Sequence, residues 1–247
     1  MPSLVWSRDP EEAFDNPYEY GAQKQFSREA SRLLNIFHDL LDQKAMHFHR
    51  NDKSVAKAIW MLHLDALEGL RDCLKMLKSE NHKIAGRLFR DISETLDLAA
   101  YFRSQTPQSN SDLEKWYKDE IIPHRKYRDY VSDVVGKSAA EAKRNSYRIL
   151  SKFTHRTYRI LLEGYTLGRG EMLVHDTYRN TKLLVPPQTI SAYFAVLSGL
   201  ITRFSDELVQ GDLAIEKQID GAWKSSLETI TVRRRFAVRM PKAQSAK

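Results

Sequence analysis

Apolar residues recur at spacings of three and four along most of this chain of 247 residues, and helix-breaking residues are scarce. The sequence has ten glycines and eight prolines, and few of them fall inside the periodic segments. Such spacing gives one apolar face to a helix of about 3.6 residues per turn. The pattern therefore predicts an all-α protein, built as an up-and-down helical bundle with appended C-terminal helices.

Eight helices are predicted from the apolar spacing and the positions of the breakers. They cover about residues 24–49, 52–78, 79 or 81 to 103, 111–122, 124–135, 138–165, 187–209 and 212–230. Prolines at positions 2, 10 and 17 and a glycine at 21 predict an irregular segment over residues 1–21. Residues 22–230 then form a single helical domain, since no linker divides them, and residues 231–247 form a basic tail.

The cysteine content and the apolar runs indicate where such a chain resides. Cys73 is the only cysteine, so neither an internal disulfide nor a cysteine-based zinc cluster can form within the chain. The N-terminal residues do not resemble a signal peptide, and no stretch reaches the roughly 18 consecutive apolar residues of a membrane span. These features predict a cytoplasmic protein that does not insert into a membrane.

Motifs for the common cofactors and catalytic metals are missing from the sequence. There is no phosphate loop, no Gly-x-Gly-x-x-Gly, no Gly-x-Ser-x-Gly and no His-Glu-x-x-His. The paired Glu-x-x-His motifs that build di-iron sites in helical bundles are missing as well. We therefore expect neither a cofactor nor a bound metal.

The net charge favours a phosphate-rich partner. Lysine and arginine outnumber aspartate and glutamate by 39 to 32, which gives a formal charge of +7. The positive residues are spread along the chain except for a C-terminal cluster of Arg233, Arg234, Arg235, Arg239, Lys242 and Lys247. RNA is one predicted partner on this basis. A salt-sensitive contact of the tail with nucleic acid or a phospholipid surface is a further reading.

One predicted helix, over residues 139–165, has a pattern that indicates phosphate chemistry. Its core side is formed by Tyr147, Leu150, Phe153, Thr154, Thr157, Tyr158 and Leu161. Beside this side runs a stripe of polar residues: Arg144, Arg148, Ser151 and His155, continued by Arg159. Guanidinium groups, a hydroxyl and an imidazole in one row could bind a phosphodiester and transfer a proton near neutral pH. The alternative is a solvated basic helix face with one histidine at the edge of the core.

A second group of charged residues lies on the predicted third helix. Arg90 and Glu94 are four residues apart and share one face, with Arg87, Asp97 and Tyr101 on the same stripe. The pair is either a surface ion pair or a partly buried pair that orients a binding face between helices. The sequence does not distinguish these two arrangements.

Two segments of the chain resemble a known group of proteins. The segment 84–102, IAGRLFRDISETLDLAAYF, resembles a helix in which an Arg and a Glu, with three residues between them, lie between apolar runs, the second ending in Tyr. The segment 147–155, YRILSKFTH, resembles a second hallmark: Tyr or Trp, then Leu-Ser, an aromatic residue and His. Both occur in uncharacterised bacterial helical proteins that look related to the HEPN superfamily of toxin–antitoxin, abortive-infection and CRISPR-associated systems. The resemblance covers about residues 50–165 and implies a helical bundle core there.

For active members, the resemblance implies a metal-independent endoribonuclease in defence or stress. Their signature is an Arg and a His with four to six residues between them, and here six residues lie between Arg148 and His155. His155 would be the general acid or base and Arg148 would neutralise the phosphate. Ile149 departs from the pattern, because a polar residue usually follows the Arg.

The resemblance also implies a homo-oligomer, because active members commonly build the site across a dimer. The residues expected to support binding are Arg144, Ser151, Arg90 and Glu94. Many members of the superfamily lack activity. The other reading is therefore a non-catalytic helical module that binds a protein or a nucleotide through the same stripe.

Overall fold

Seven helices and one short hairpin make up the part of the chain that the structure describes. The computed structural model describes residues 17–45, 48–79, 81–158, 161, 165–167, 173–175 and 187–210. The helices are α1 (Pro17–Ala45), α2 (Val55–Lys78), α3 (His82–Arg103), α4 (Pro107–Trp116), α5 (His124–Val135), α6 (Lys137–Thr154) and α7 (Pro187–Val209). The strands β1 (Tyr165–Leu167) and β2 (Leu173–His175) pair antiparallel. The predicted all-α class is confirmed.

The main core lies between four of these helices. α2 and α3 pack extensively against each other, and α1 and α7 cover the apolar faces of this pair. Fully buried side chains come from each of the four helices, among them Phe37, Leu70, Phe89 and Phe204. Burying a side chain of this size contributes roughly 1.5–3 kcal/mol, against which the cost of ordering the chain must be set.

A smaller apolar cluster joins α4 and α5 to one end of the α2–α3 pair. Ala58 and Phe102 are buried there against Leu113 of α4 and Tyr127 of α5. α5 and α6 then both pack against α3, and they also pack against each other. This packing places α6, which carries the predicted polar stripe, beside α3, which carries Arg90 and Glu94.

α1 begins earlier and ends earlier than the sequence pattern predicts. The prediction of an irregular segment is wrong from residue 17 onward, since α1 begins at Pro17 and includes Gly21. Proline is tolerated in the first turn of a helix because the missing amide hydrogen would have no partner there. The helix ends at Ala45 rather than at residue 49.

The start of α2 is set by a capping serine. Ser54 Oγ accepts a hydrogen bond from the Lys57 amide at 3.2 Å, which satisfies one of the free amides of the first turn. Asp52 Oδ1 accepts a hydrogen bond from the Ser54 amide at 2.7 Å. Asp52 therefore orients the residue that caps the helix.

α4 begins at Pro107 and ends at Trp116, earlier at both ends than the predicted helix over 111–122. Thr106 Oγ1 accepts a hydrogen bond from the Ser109 amide at 3.1 Å, and Pro107 is the first helical residue. The predicted start is too late because threonine and proline favour helix starts as much as turns.

α6 ends at Thr154 rather than at residue 165. His155 is the C-cap, and Arg156 has a left-handed φ of 51°, at which an α-helix cannot continue. The predicted core residues at and beyond this end do not reach the core: Thr154 is exposed, Tyr158 is 74% exposed and Leu161 is 44% exposed.

Other predictions fall outside the described residues. These are the irregular segment up to residue 16, the helix over 212–230, the basic tail over 231–247 and the contribution of Arg159 to the polar stripe. Among the helices of the described ranges, none has both the length and the apolar content that a membrane span requires.

Candidate nucleic-acid interface

α3 and α6 lie side by side and run in opposite directions. Tyr147, in the middle of α6, hydrogen-bonds Arg90 in the middle of α3, with 2.7 Å between the Tyr147 hydroxyl and Arg90 Nη2. Phe153, near the end of α6, lies against Gly86, which is earlier in α3. The polar stripes predicted on the two helices therefore border one another.

Arg90, Glu94 and Tyr147 form a closed hydrogen-bonded network between these helices. Arg90 Nε donates to Glu94 Oε1 at 2.9 Å, and Arg90 Nη2 donates to the Tyr147 hydroxyl. The Tyr147 hydroxyl in turn donates to Glu94 Oε1. The Arg90 and Glu94 side chains are 16% and 23% exposed. Of the two arrangements open from the sequence, the structure has the partly buried pair.

The pKa of Tyr147 is shifted upward at this position. Burial raises the pKa of Tyr147 above its ordinary value, and the hydrogen bond to Glu94 and the charge of that carboxylate raise it further. The hydroxyl therefore remains a hydrogen-bond donor at neutral pH. Its place in the network is to join α6 to the ion pair of α3.

The ring of Tyr147 is surrounded by residues from α3 and α5. His124 stacks against it, with 6.2 Å between the ring centroids and 19° between the planes. The guanidinium groups of Arg90 and Arg128 lie 5.0 Å and 5.4 Å from the ring centroid, within the range of cation–π attraction. The sequence prediction missed His124 and Arg128. The sequence signal that could have identified them is their spacing of four residues, which puts both side chains on one face of α5.

The stripe on α6 is exposed. Arg144 and Arg148 both lie on the outward side of the helix, and Lys152 extends the row by one more turn. Within the described residues, none of these three side chains has an ion-pair or hydrogen-bond partner. Glu141, also exposed, is the acidic residue on this face. The face therefore has a net positive charge.

Ser151 and His155 lie at the end of the same row. Ser151 is half-buried and its carbonyl accepts the His155 amide at 2.9 Å. His155 is exposed, and it caps α6 rather than lying inside it. The structure brings Arg90 and Glu94 to Tyr147, the sequence neighbour of Arg148, and not into hydrogen bonds with Arg148 or His155.

The remaining residues of the α3 stripe serve other contacts. Asp97 is buried and forms an ion pair with Arg203 of α7. The Tyr101 hydroxyl donates to Asp112 of α4 at 2.9 Å. Arg87 is exposed. Asp97 and Tyr101 therefore hold the bundle together, and only the first half of the stripe borders α6.

Comparison of the chain with protein-family models, curated proteins and solved structures found no match. In the part of the chain that the structure describes, no three His, Cys, Asp or Glu side chains are grouped so that they could hold a metal ion. The site is therefore characterised by its geometry and charge alone.

Proposed function

We propose that this chain is an HEPN-like protein that binds RNA across the basic face of α6, where it borders α3 and α5. The observation that carries the proposal is the row of exposed cations, Arg144, Arg148 and Lys152, which no described side chain neutralises. Hydrogen bonds between such cations and phosphate are charge-assisted and are stronger than neutral ones. No internal ion pair has to break when they form.

The neighbouring aromatic cluster supports RNA over other polyanions. His124 is exposed and stacks on Tyr147 beside Arg128. Proteins that bind single strands combine cationic grooves with aromatic rings on which bases stack. A protein partner with an acidic surface would use the cations but would not need rings on which bases can stack.

The proposal predicts a specific loss of affinity when Arg144 and Arg148 are replaced. The double variant Arg144→Ala/Arg148→Ala is expected to bind a labelled single-stranded RNA on the order of tenfold more weakly. The slope of log K against log salt should become shallower by about 0.7 for each RNA phosphate that the variant no longer neutralises. Fluorescence anisotropy over a series of salt concentrations measures both quantities.

Lys53→Ala/Lys118→Ala is the matched control, because both lysines are exposed. They lie near the C-terminal end of α3, whereas α6 borders the first half of that helix. This variant has the same net charge as the test variant and should keep both the affinity and the slope within error. An equal loss in the two variants would mean that only net charge matters, and would contradict the proposed surface.

Cleavage is the second candidate function, and the accessibility of Arg148 and His155 is the observation that bears on it. Both are exposed, so one chain does not enclose a phosphate between them. We propose that a second copy of the chain completes the site if RNA is cut.

Purified protein in EDTA is then expected to cleave RNA with a rate that rises more steeply than the protein concentration. His155→Ala should abolish cleavage while the fold is retained. Absence of cleavage by the wild type across varied RNAs would leave RNA binding as the function.

A further inference from the structure

A cleft of about 480 Å³ opens at the end of the bundle where α1, α3 and α7 end and α2 begins. It shares no residue with the α6 surface. We propose that this cleft binds a small, uncharged, planar heterocycle of the purine nucleoside class. The proposal is independent of RNA binding, because it rests on other residues.

The wall of the cleft suits a flat apolar ring. Phe48 and Trp60 line it with 5.6 Å between their ring centroids, and both are half-buried. Trp60 Nε1 donates to the Leu41 carbonyl at 2.8 Å, which fixes the orientation of the indole. Aromatic rings held in this way offer contact area at little cost in entropy, and bases stack on them.

The floor of the cleft disfavours a charged ligand. Arg103 Nη1 donates to Glu207 Oε2 at 2.6 Å, so the cation of the floor is already neutralised. Arg103 Nη2 also lies 3.4 Å from His63 Nε2. A phosphate or carboxylate placed here would face the buried Glu207 carboxylate, and none of the described lining residues offers an unpaired cation to it.

The rim of the cleft carries two primary amides. Gln210 Oε1 accepts a hydrogen bond from Arg103 Nη1 at 2.6 Å, and its amino group faces no described acceptor. Gln105 has a left-handed φ of 49°, a conformation that residues other than glycine and asparagine seldom adopt. Its side-chain amide has no hydrogen-bond partner among the described residues. Primary amides pair with the donor and acceptor edge of a purine in two hydrogen bonds.

Isothermal titration calorimetry of the full chain with adenosine and with guanosine tests the proposal. At least one of them is expected to bind, and AMP should bind no more tightly than adenosine. Phe48→Ala should weaken binding by about fivefold or more, because a stacking surface is removed. Gln105→Gly should weaken it as well, since it removes the amide but accepts the left-handed backbone.

Two matched variants should leave nucleoside binding unchanged. Gln43→Ala removes an exposed amide of α1 outside the cleft, and Arg144→Ala/Arg148→Ala alters only the α6 surface. Failure of both nucleosides to bind would overturn the proposal. So would tighter binding of AMP than of adenosine, or unchanged binding by both Phe48→Ala and Gln105→Gly.

Discussion

Replacement of Lys126 with methionine is expected to lower the free energy of unfolding by roughly 3 kcal/mol, because it leaves a buried carboxylate without its main partner. The Asp112 side chain is fully buried, and Lys126 Nζ lies 2.8 Å and 3.0 Å from its two oxygens. Tyr101 and Gln108 also donate hydrogen bonds to it. Lys115 Nζ lies 3.5 Å from Asp112 Oδ1, farther than Lys126, so it compensates only in part.

Chemical denaturation of the single and double variants measures this effect. Asp112→Asn/Lys126→Met removes the stranded charge and should recover part of the lost stability. Asp129→Asn is the control, since its ion pair with Arg125 is exposed and should be worth less than about 1 kcal/mol. If Lys126→Met costs no more than Asp129→Asn, the buried cluster does not stabilise the fold as described.

The same cluster determines the direction in which the stability of the fold changes with pH. Burial raises the pKa of Asp112, but the hydrogen bonds from Lys126, Gln108 and Tyr101 together outweigh it and lower the pKa below its ordinary value. The stabilisation is therefore complete above the unfolded pKa of about 3.9 and is lost as the pH falls through the lower, folded value. In Lys126→Met the dependence should reverse, since the unpaired carboxylate is best tolerated when it is protonated.

Two glycines in helices are expected to respond to alanine with opposite signs. A Cβ on Gly86 would lie 2.5 Å from the ring of Phe153, and that ring also packs edge-to-face against Tyr193, with 5.5 Å between the ring centroids. Overpacking costs about 1–3 kcal/mol, which exceeds the gain of up to about 1 kcal/mol in helix propensity. Gly86→Ala should therefore destabilise the fold and push α6 away from α3.

Gly199 is the matched position, because a Cβ there would meet no atom within 4 Å. Gly199→Ala should raise the free energy of unfolding by up to about 1 kcal/mol. Thermal unfolding compares the stabilities of Gly86→Ala, Gly199→Ala and the double variant Gly86→Ala/Phe153→Leu. The double variant should recover stability, since leucine leaves more room. Equal stability of Gly86→Ala and Gly199→Ala would contradict the close packing of α3 on α6.

Periodicity was sufficient to predict the all-α class and the helices that lie within the described residues, because both follow from local spacing. The ends of the helices were harder, since they depend on single residues. Thr106 and Pro107 begin α4 although their types also suit a loop, and Arg156 ends α6 through a left-handed conformation that its residue type does not announce. Such choices are decided by the packing of the rest of the chain.

The candidate site was predictable only in the part that depends on the residues of a single helix. The wheel of one helix separates the outward Arg148 from the inward Phe153, and both lie where the pattern predicts. It cannot show that His124 of α5 stacks on Tyr147, because that contact joins residues far apart in sequence. The choice between an exposed and a buried Arg90–Glu94 pair also depended on the neighbouring helix.

Mapping the RNA contact by ultraviolet crosslinking and mass spectrometry tests the central claim most directly. The wild-type chain, crosslinked to single-stranded RNA at low salt, is expected to carry RNA on peptides of α5 and α6, with Tyr147 and His124 among the modified residues. Arg144→Ala/Arg148→Ala should reduce these crosslinks while the fold is unchanged. Crosslinks confined to the tail over residues 231–247, or spread evenly over the chain, would contradict the account.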